Sequence, residues 1–174
     1  FEATREELWV NGLRAVDCVL TTREFGWLIK HAGIDFFKLQ PEEPDHPLGF
    51  STGAGAIFGV TGGVTEAALR TAYWMLFGEE LPDDAIKFKA VRGMEGVREA
   101  RIDFNGVELR VAIAHGLGNA NRVLDRLRAG EEYHWIEVMG CPGGCIGGGG
   151  QPYAGANAVP LDEEILRLRG QALY

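Results

Sequence analysis

The chain has 174 residues, enough for one domain or one lobe of a larger one. A 46% hydrophobic content allows a packed core, and a net charge of −8 argues against a general nucleic-acid binder, since no basic patch is present to neutralise phosphates. No apolar run reaches the roughly 18 residues a membrane span needs, and three cysteines form no disulfide framework, so a reducing, cytoplasmic location is expected.

In chain order, "FEATREELWVNGLRAV" (1–16) has Leu8 and Leu13 on a helical period and predicts a short helix ending near Gly12. It does not resemble a signal peptide, and its start on Phe1 without methionine implies a chain cut from a longer polypeptide. "VDCVLTT" (16–22) reads as a buried β-branched strand, with Cys18 as a small hydrophobe inside it. A helix follows from Thr22, with Glu24 in its first turn and Gly33 as its stop. Residues 34–51 hold three prolines and are expected to be irregular.

"TGGVTEAALRTAYWMLFGEE" (61–80) is the clearest helix. Its expected stripe is Val64, Ala67, Ala68, Thr71, Met75 and Leu76, with Glu66 in the early turns and Gly78 as terminator. "AIKFKAV" (85–91) reads as a strand, and a β-hairpin is expected at 97–114 around Asn105-Gly106, the strongest hairpin signal of the chain. A helix ends at Gly130, "YHWIEVM" (133–139) forms a strand, and 160–174 closes the chain as a helix behind Pro160. The alternation predicts an α/β fold with a largely parallel sheet flanked by helices. Chemistry in such sheets collects beyond the carboxyl ends of the strands. There strand 133–139 delivers Cys141 and Cys145.

The loop reads "EVMGCPGGCIGGGGQPY" (137–153), in a chain whose 25 glycines are about twice the ordinary share. Glycines around two thiolates let backbone N–H groups approach sulfur closely and take up positive φ. An iron–sulfur cluster is the favoured ligand, with zinc or two buried structural thiols as competing readings. A cubane wants four thiolates, so this loop supplies at most two. Around "STGAGAIFGVTGGV" (51–64) no lysine follows the glycines, so neither the P-loop nor the dinucleotide fingerprint fits. Tight helix packing explains those glycines most simply. His115 is a candidate acid–base group or an ordinary hydrogen-bonded residue at a strand end, and Glu66 a proton relay or a first-turn carboxylate.

Taken together, "IFGVTGGVTEAALR" and "EVMGCPGGCIGGGGQP" resemble the catalytic domain of [FeFe]-hydrogenases, the iron-only large subunit. "VDCVLTTREFGWLIKHAGIDF" and "STGAG" extend the likeness to nearly the whole chain. The resemblance implies a reversible interconversion of dihydrogen with protons and electrons at an H-cluster, a [4Fe–4S] cubane joined to a two-iron subcluster. It makes Cys141 a cubane ligand and Cys145 the cubane ligand that also bridges to the two-iron unit, hence the catalytic residue. Met139 would pack against that unit, and Phe58, Gly59, Gly62, Gly63 and Val64 would line its pocket. Thr65 stands where many members carry methionine. The family's "TSCCP" and "MPC-x-x-KK" motifs are absent here. Residues 1–174 are therefore expected to be a single partial domain, the C-terminal lobe, inactive and without a cluster on its own. The implied partners are the upstream lobe and ferredoxin or NAD(P)H/flavin electron-transfer subunits. Hydrogenase-like sensory or iron–sulfur assembly modules are the alternative.

Overall fold

The computed structural model describes residues 2–43, 45, 46, 49, 52–90, 94–153, 155 and 161–174. These residues divide into two units, 1–45 with 150–153, and 46–149 with 154–174.

In the first unit the short helix expected to end near Gly12 is replaced by two short 3-10 turns and a small hairpin. Strands β1 (Trp9–Val10) and β2 (Leu13–Arg14) pair antiparallel around Asn11-Gly12. Both turn residues have positive φ, 52° and 78°, as a two-residue hairpin turn of this hand requires. Helix α1 (Thr22–His31) is capped by Thr21, one residue before the expected start. Glu24 accepts from the Thr21 N–H at 2.8 Å, and the Thr21 hydroxyl accepts from the Glu24 N–H at 3.3 Å. This reciprocal box satisfies two otherwise open donors. The expected strand 16–22 does not form: 16–21 is irregular, Thr22 opens α1, and Cys18 is exposed. β-branched residues favour a strand only when a neighbour takes up the ladder bonds, and none pairs with this segment among the described residues.

The second unit is built on a four-stranded sheet of order β3-β4-β5-β6: Lys89–Ala90, Val97–Phe104, Val107–His115 and Trp135–Met139. Strands β4 and β5 form an antiparallel hairpin from Val97↔Ala114 to Phe104↔Val107. Asn105 (φ 55°) and Gly106 (φ 88°) make its turn. Strand β5 pairs parallel with β6, from Val111↔Trp135 to His115↔Met139. The expectation of a largely parallel sheet is corrected: one of the three pairings is parallel. Among the described residues only the β5–β6 connection carries a crossover helix, α4 (Leu117–Arg128), and strands joined by a two-residue turn must run antiparallel.

Strand β5 lies inside this sheet, with helices on both of its faces, which explains the unbroken buried run Val111-Ala112-Ile113-Ala114. On one face Val111, Ala100, Ile102 and Phe104 pack with Leu69 of helix α3 (Gly63–Phe77). On the other, Val97, Ala112 and Ala114 meet Val123 of α4. The buried residues of α3 are Gly63, Thr65, Ala67 and Leu69. The expected stripe is out of phase, because Thr71 is exposed and Met75 and Leu76 are 73% and 68% exposed. A stripe read from apolarity overlooks Thr65, whose hydroxyl is satisfied inside the unit.

Beyond α4, Arg126 meets Glu99 at 2.9 Å and Glu131 at 2.6 Å, Arg110 meets Glu131 at 2.6 Å, and the Tyr133 hydroxyl donates to Glu99. Hydrogen bonds from Arg126 and Arg110 hold Glu131 at a pKa of about 2. Helix α5 (Glu163–Gln171) is capped by Asp162, whose carboxylate accepts from the Glu164 and Ile165 N–H groups. Pro160 lies outside the described residues.

Candidate metal centre

Two glycine-rich segments of the second unit meet beyond the ends of β5 and β6. The first runs from the short helix α2 (Ala54–Ile57) through Phe58, Gly59, Val60, Thr61 and Gly62 into α3. The second leaves β6 at Met139 and carries Cys141-Pro142-Gly143-Gly144-Cys145, then one 3-10 turn over Cys145–Gly147.

Backbone bonds stitch the two together. The Thr61 N–H donates to the Gly143 carbonyl at 3.0 Å, and the Ile146 N–H donates to the Gly59 carbonyl at 3.1 Å. Within the loop, the Gly144 N–H donates to the Cys141 carbonyl at 3.0 Å and the Gly148 N–H to the Cys145 carbonyl at 3.0 Å. At 94°, the φ of Gly144 favours glycine, and a Cβ there would lie 2.8 Å from both the Gly59 oxygen and the Thr61 nitrogen. On Gly63 a Cβ would sit 1.7 Å from the Ile57 oxygen. These glycines let two backbones approach more closely than any side chain permits.

Further contacts brace the loop. The Arg98 guanidinium donates to the Thr61 carbonyl at 2.8 Å, Arg169 donates to the Ile146 carbonyl at 2.9 Å, and the Gly116 N–H donates to the Met139 carbonyl at 2.8 Å. The Thr61 hydroxyl is buried with no hydrogen-bond partner among the described residues.

The sequence reading overlooks Glu137. It lies on β6, 6% exposed, and its carboxylate accepts from the Gly62 N–H at 2.6 Å, the Thr65 N–H at 2.8 Å and the Thr65 hydroxyl at 2.7 Å. The Trp135 indole N–H donates to the same hydroxyl at 3.0 Å. The signal was available, since an acidic residue interrupts the otherwise apolar strand Trp135–Met139. Glu66 instead accepts from Arg70 and from the Tyr174 hydroxyl, each at 3.0 Å. His115 is half-buried, and burial with the nearby Arg98 charge pushes its pKa below the ordinary histidine value.

Among the expected site residues, Gly59 is brought against the loop and Gly62 against its parent strand, while Gly63 lies against the Ile57 backbone of α2. Gly62 and Gly63 are buried, Val64 and Met139 partly buried, and Phe58 is 46% exposed. Cys141 is partly buried and Cys145 exposed, and neither is in a disulfide. Among the described residues no group of three or more His, Cys, Asp or Glu could hold a metal ion. Two thiols on a bare backbone, grouped with no third such ligand among the described residues, fall short of a closed zinc site's four ligands. They fit half of a cubane's thiolate set.

Residues 1–149 match the family described as iron only hydrogenase large subunit, C-terminal domain, and the chain belongs to that family. It is 53% identical over 174 residues to the NADP-reducing hydrogenase subunit HndD of Solidesulfovibrio fructosivorans, covering all of this chain and 28% of that protein. To the periplasmic [Fe] hydrogenase large subunit of Nitratidesulfovibrio vulgaris it is 47% identical, covering 97% and 40%. A solved structure of a variant of [FeFe]-hydrogenase HydA1 from Chlamydomonas reinhardtii matches with a TM-score of 0.75 at 37% identity, covering 99% of this chain and 49% of that one. Matching structures also include one on stepwise H-cluster assembly in an [FeFe]-hydrogenase, and one on oxygen damage to the 2Fe subcluster of the H cluster. Lower identity, 34%, links the chain to a probable cytosolic Fe-S cluster assembly factor of Culex quinquefasciatus. The chain thus spans less than half the length of these relatives. No helix of the described residues is long and apolar enough to cross a membrane.

Proposed function

We propose that this chain forms the C-terminal lobe of an [FeFe]-hydrogenase catalytic domain and contributes two of the four cysteine ligands of an H-cluster cubane. The observation that carries the reading is the stitched pair of segments 59–62 and 141–147, which holds Cys141 and Cys145 on one hydrogen-bonded glycine loop. When bound, the H-cluster supplies the iron at which dihydrogen, protons and electrons interconvert. Cys141 would be a ligand of the cubane, and Cys145, exposed on its 3-10 turn, would be the ligand shared with the two-iron unit. Gly59, Gly62 and Gly63 keep side-chain bulk out of the pocket, while Phe58, Val64 and Met139 give it apolar walls that exclude water.

The remaining ligands belong to an upstream lobe, and electrons arrive from ferredoxin or a nicotinamide–flavin subunit. HndD, by its name an NADP-reducing hydrogenase subunit, supports the second donor. A cytoplasmic location accords with three cysteines outside any disulfide, although one relative is named periplasmic. An iron–sulfur assembly role is the other reading, disfavoured by the gap between 53% and 34% identity to the two groups. Hydrogen–deuterium exchange separates them. The full-length protein, loaded with its cluster, is expected to exchange dihydrogen with heavy water. A protein that retains a cubane and the two-iron unit but catalyses no exchange contradicts the proposal.

A further inference from the structure

We infer that Glu137, acting through Thr65 and the N-terminus of α3, is the positioning residue that sets the distance between the two walls of the proposed cluster site; this rests on the hydrogenase reading. Every helix begins with N–H groups that lack intrahelical partners, and a side chain at the N-cap ordinarily accepts from one of them. Here the N-cap is Gly62, which has no side chain to offer. Its φ of 97° strains any residue but glycine, and a Cβ there would press on Ile113 Cδ1 at 3.0 Å. The cap must come from another element.

Glu137 supplies it from β6. One carboxylate oxygen accepts from the Gly62 N–H, and the other accepts from the N–H and the hydroxyl of Thr65, the third residue of the helix. The positive end of the helix dipole and three hydrogen bonds offset the cost of burying the carboxylate. A local cap would fix the helix end only to its own chain. This one fixes it to β6, whose next residues are Val138, Met139 and then the cysteine loop. Trp135, on the same strand, adds a second link to Thr65, which is fully buried. The three short bonds and the backbone bonds of 59–61 to 143–146 thus triangulate the glycine wall against the cysteine wall. Thr65 is the joint, accepting from Trp135 while it donates to Glu137.

The test uses the full-length, cluster-loaded protein with Thr65→Ser, Thr65→Val and Glu137→Gln. Iron content, the cubane EPR spectrum, its midpoint potential and turnover are read in each. Thr65→Ser keeps the hydroxyl and should match wild type in all four. Thr65→Val preserves the shape and the fold but deletes both side-chain bonds. It should keep its iron yet change the EPR spectrum and potential, with turnover reduced about 10- to 100-fold, the range for residues that orient metal ligands. Glu137→Gln places an amide against one of the donors and should act in the same direction, more strongly. If Thr65→Val and Glu137→Gln lower the melting temperature but leave spectrum, potential and turnover unchanged, the pair is merely structural and the inference fails. Should Glu137→Gln not fold, Thr65→Val against Thr65→Ser decides alone. A wild-type protein that never acquires a cluster overturns the hydrogenase reading itself, and this inference with it.

Discussion

Gly63→Ala is expected to destabilise the second unit by at least about 4 kcal/mol, beyond the usual range for one substitution. The added carbon would meet the Ile57 carbonyl oxygen at 1.7 Å, and that oxygen belongs to backbone that no rotamer change can move. Relief requires the start of α3 to back away from α2. The same movement pulls Gly62 and Thr65 off the Glu137 carboxylate and leaves a buried charge short of partners. Melting of the chain should therefore fall by about 10 °C or more. Gly118→Ala is the control: that glycine lies in α4 with nothing within 4 Å of a new Cβ, so helix propensity should stabilise it slightly, by about 0.5–1 kcal/mol. Equal melting temperatures for Gly63→Ala and wild type would show that the close approach of α2 and α3 is not as described.

Cys141→Ser and Cys145→Ser should each strip the cubane from the full-length protein, whereas Cys18→Ser should leave it in place. The contrast follows from where the three thiols stand. Cys141 and Cys145 share one hydrogen-bonded glycine loop, while Cys18 lies in the first unit on an irregular, exposed stretch. Hydroxyl oxygen is a poor replacement for thiolate on iron, so chelatable iron and the reduced-state EPR signal should drop to background in the first two variants. Loss of the signal in Cys18→Ser, with retention in Cys145→Ser, would reassign the ligands.

Much of the second unit could be read from local signals. Asn105-Gly106 marks its hairpin, "VAIA" marks a strand covered on both faces, and the spacing of Cys141 and Cys145 marks the loop. Asn11-Gly12 carries the same turn chemistry as Asn105-Gly106, yet the charged residues before it made 1–16 look helical. The segment around Cys18 shows the limit of propensity, because β-branched residues make a strand only beside a partner. The phase of α3 was hidden by Thr65, a polar residue buried because its hydroxyl is satisfied 70 and 72 residues away. Glu137 was missed for the same reason. A carboxylate that caps a helix from another strand has no sequence spacing, so the two hints, an acidic residue inside an apolar strand and a glycine at the N-cap of α3, could not be joined from the sequence.

The central claim is that this chain holds half of a cubane's ligands, and anaerobic iron–sulfur reconstitution tests it most directly. Iron per chain and the EPR spectrum of the reduced sample are measured for the chain alone and for the chain mixed with the complementary half of the catalytic domain. A stable cubane signal is expected only in the mixture, and Cys145→Ser should abolish it. A stable cubane on the chain alone would contradict it and give this loop an independent cluster-binding role.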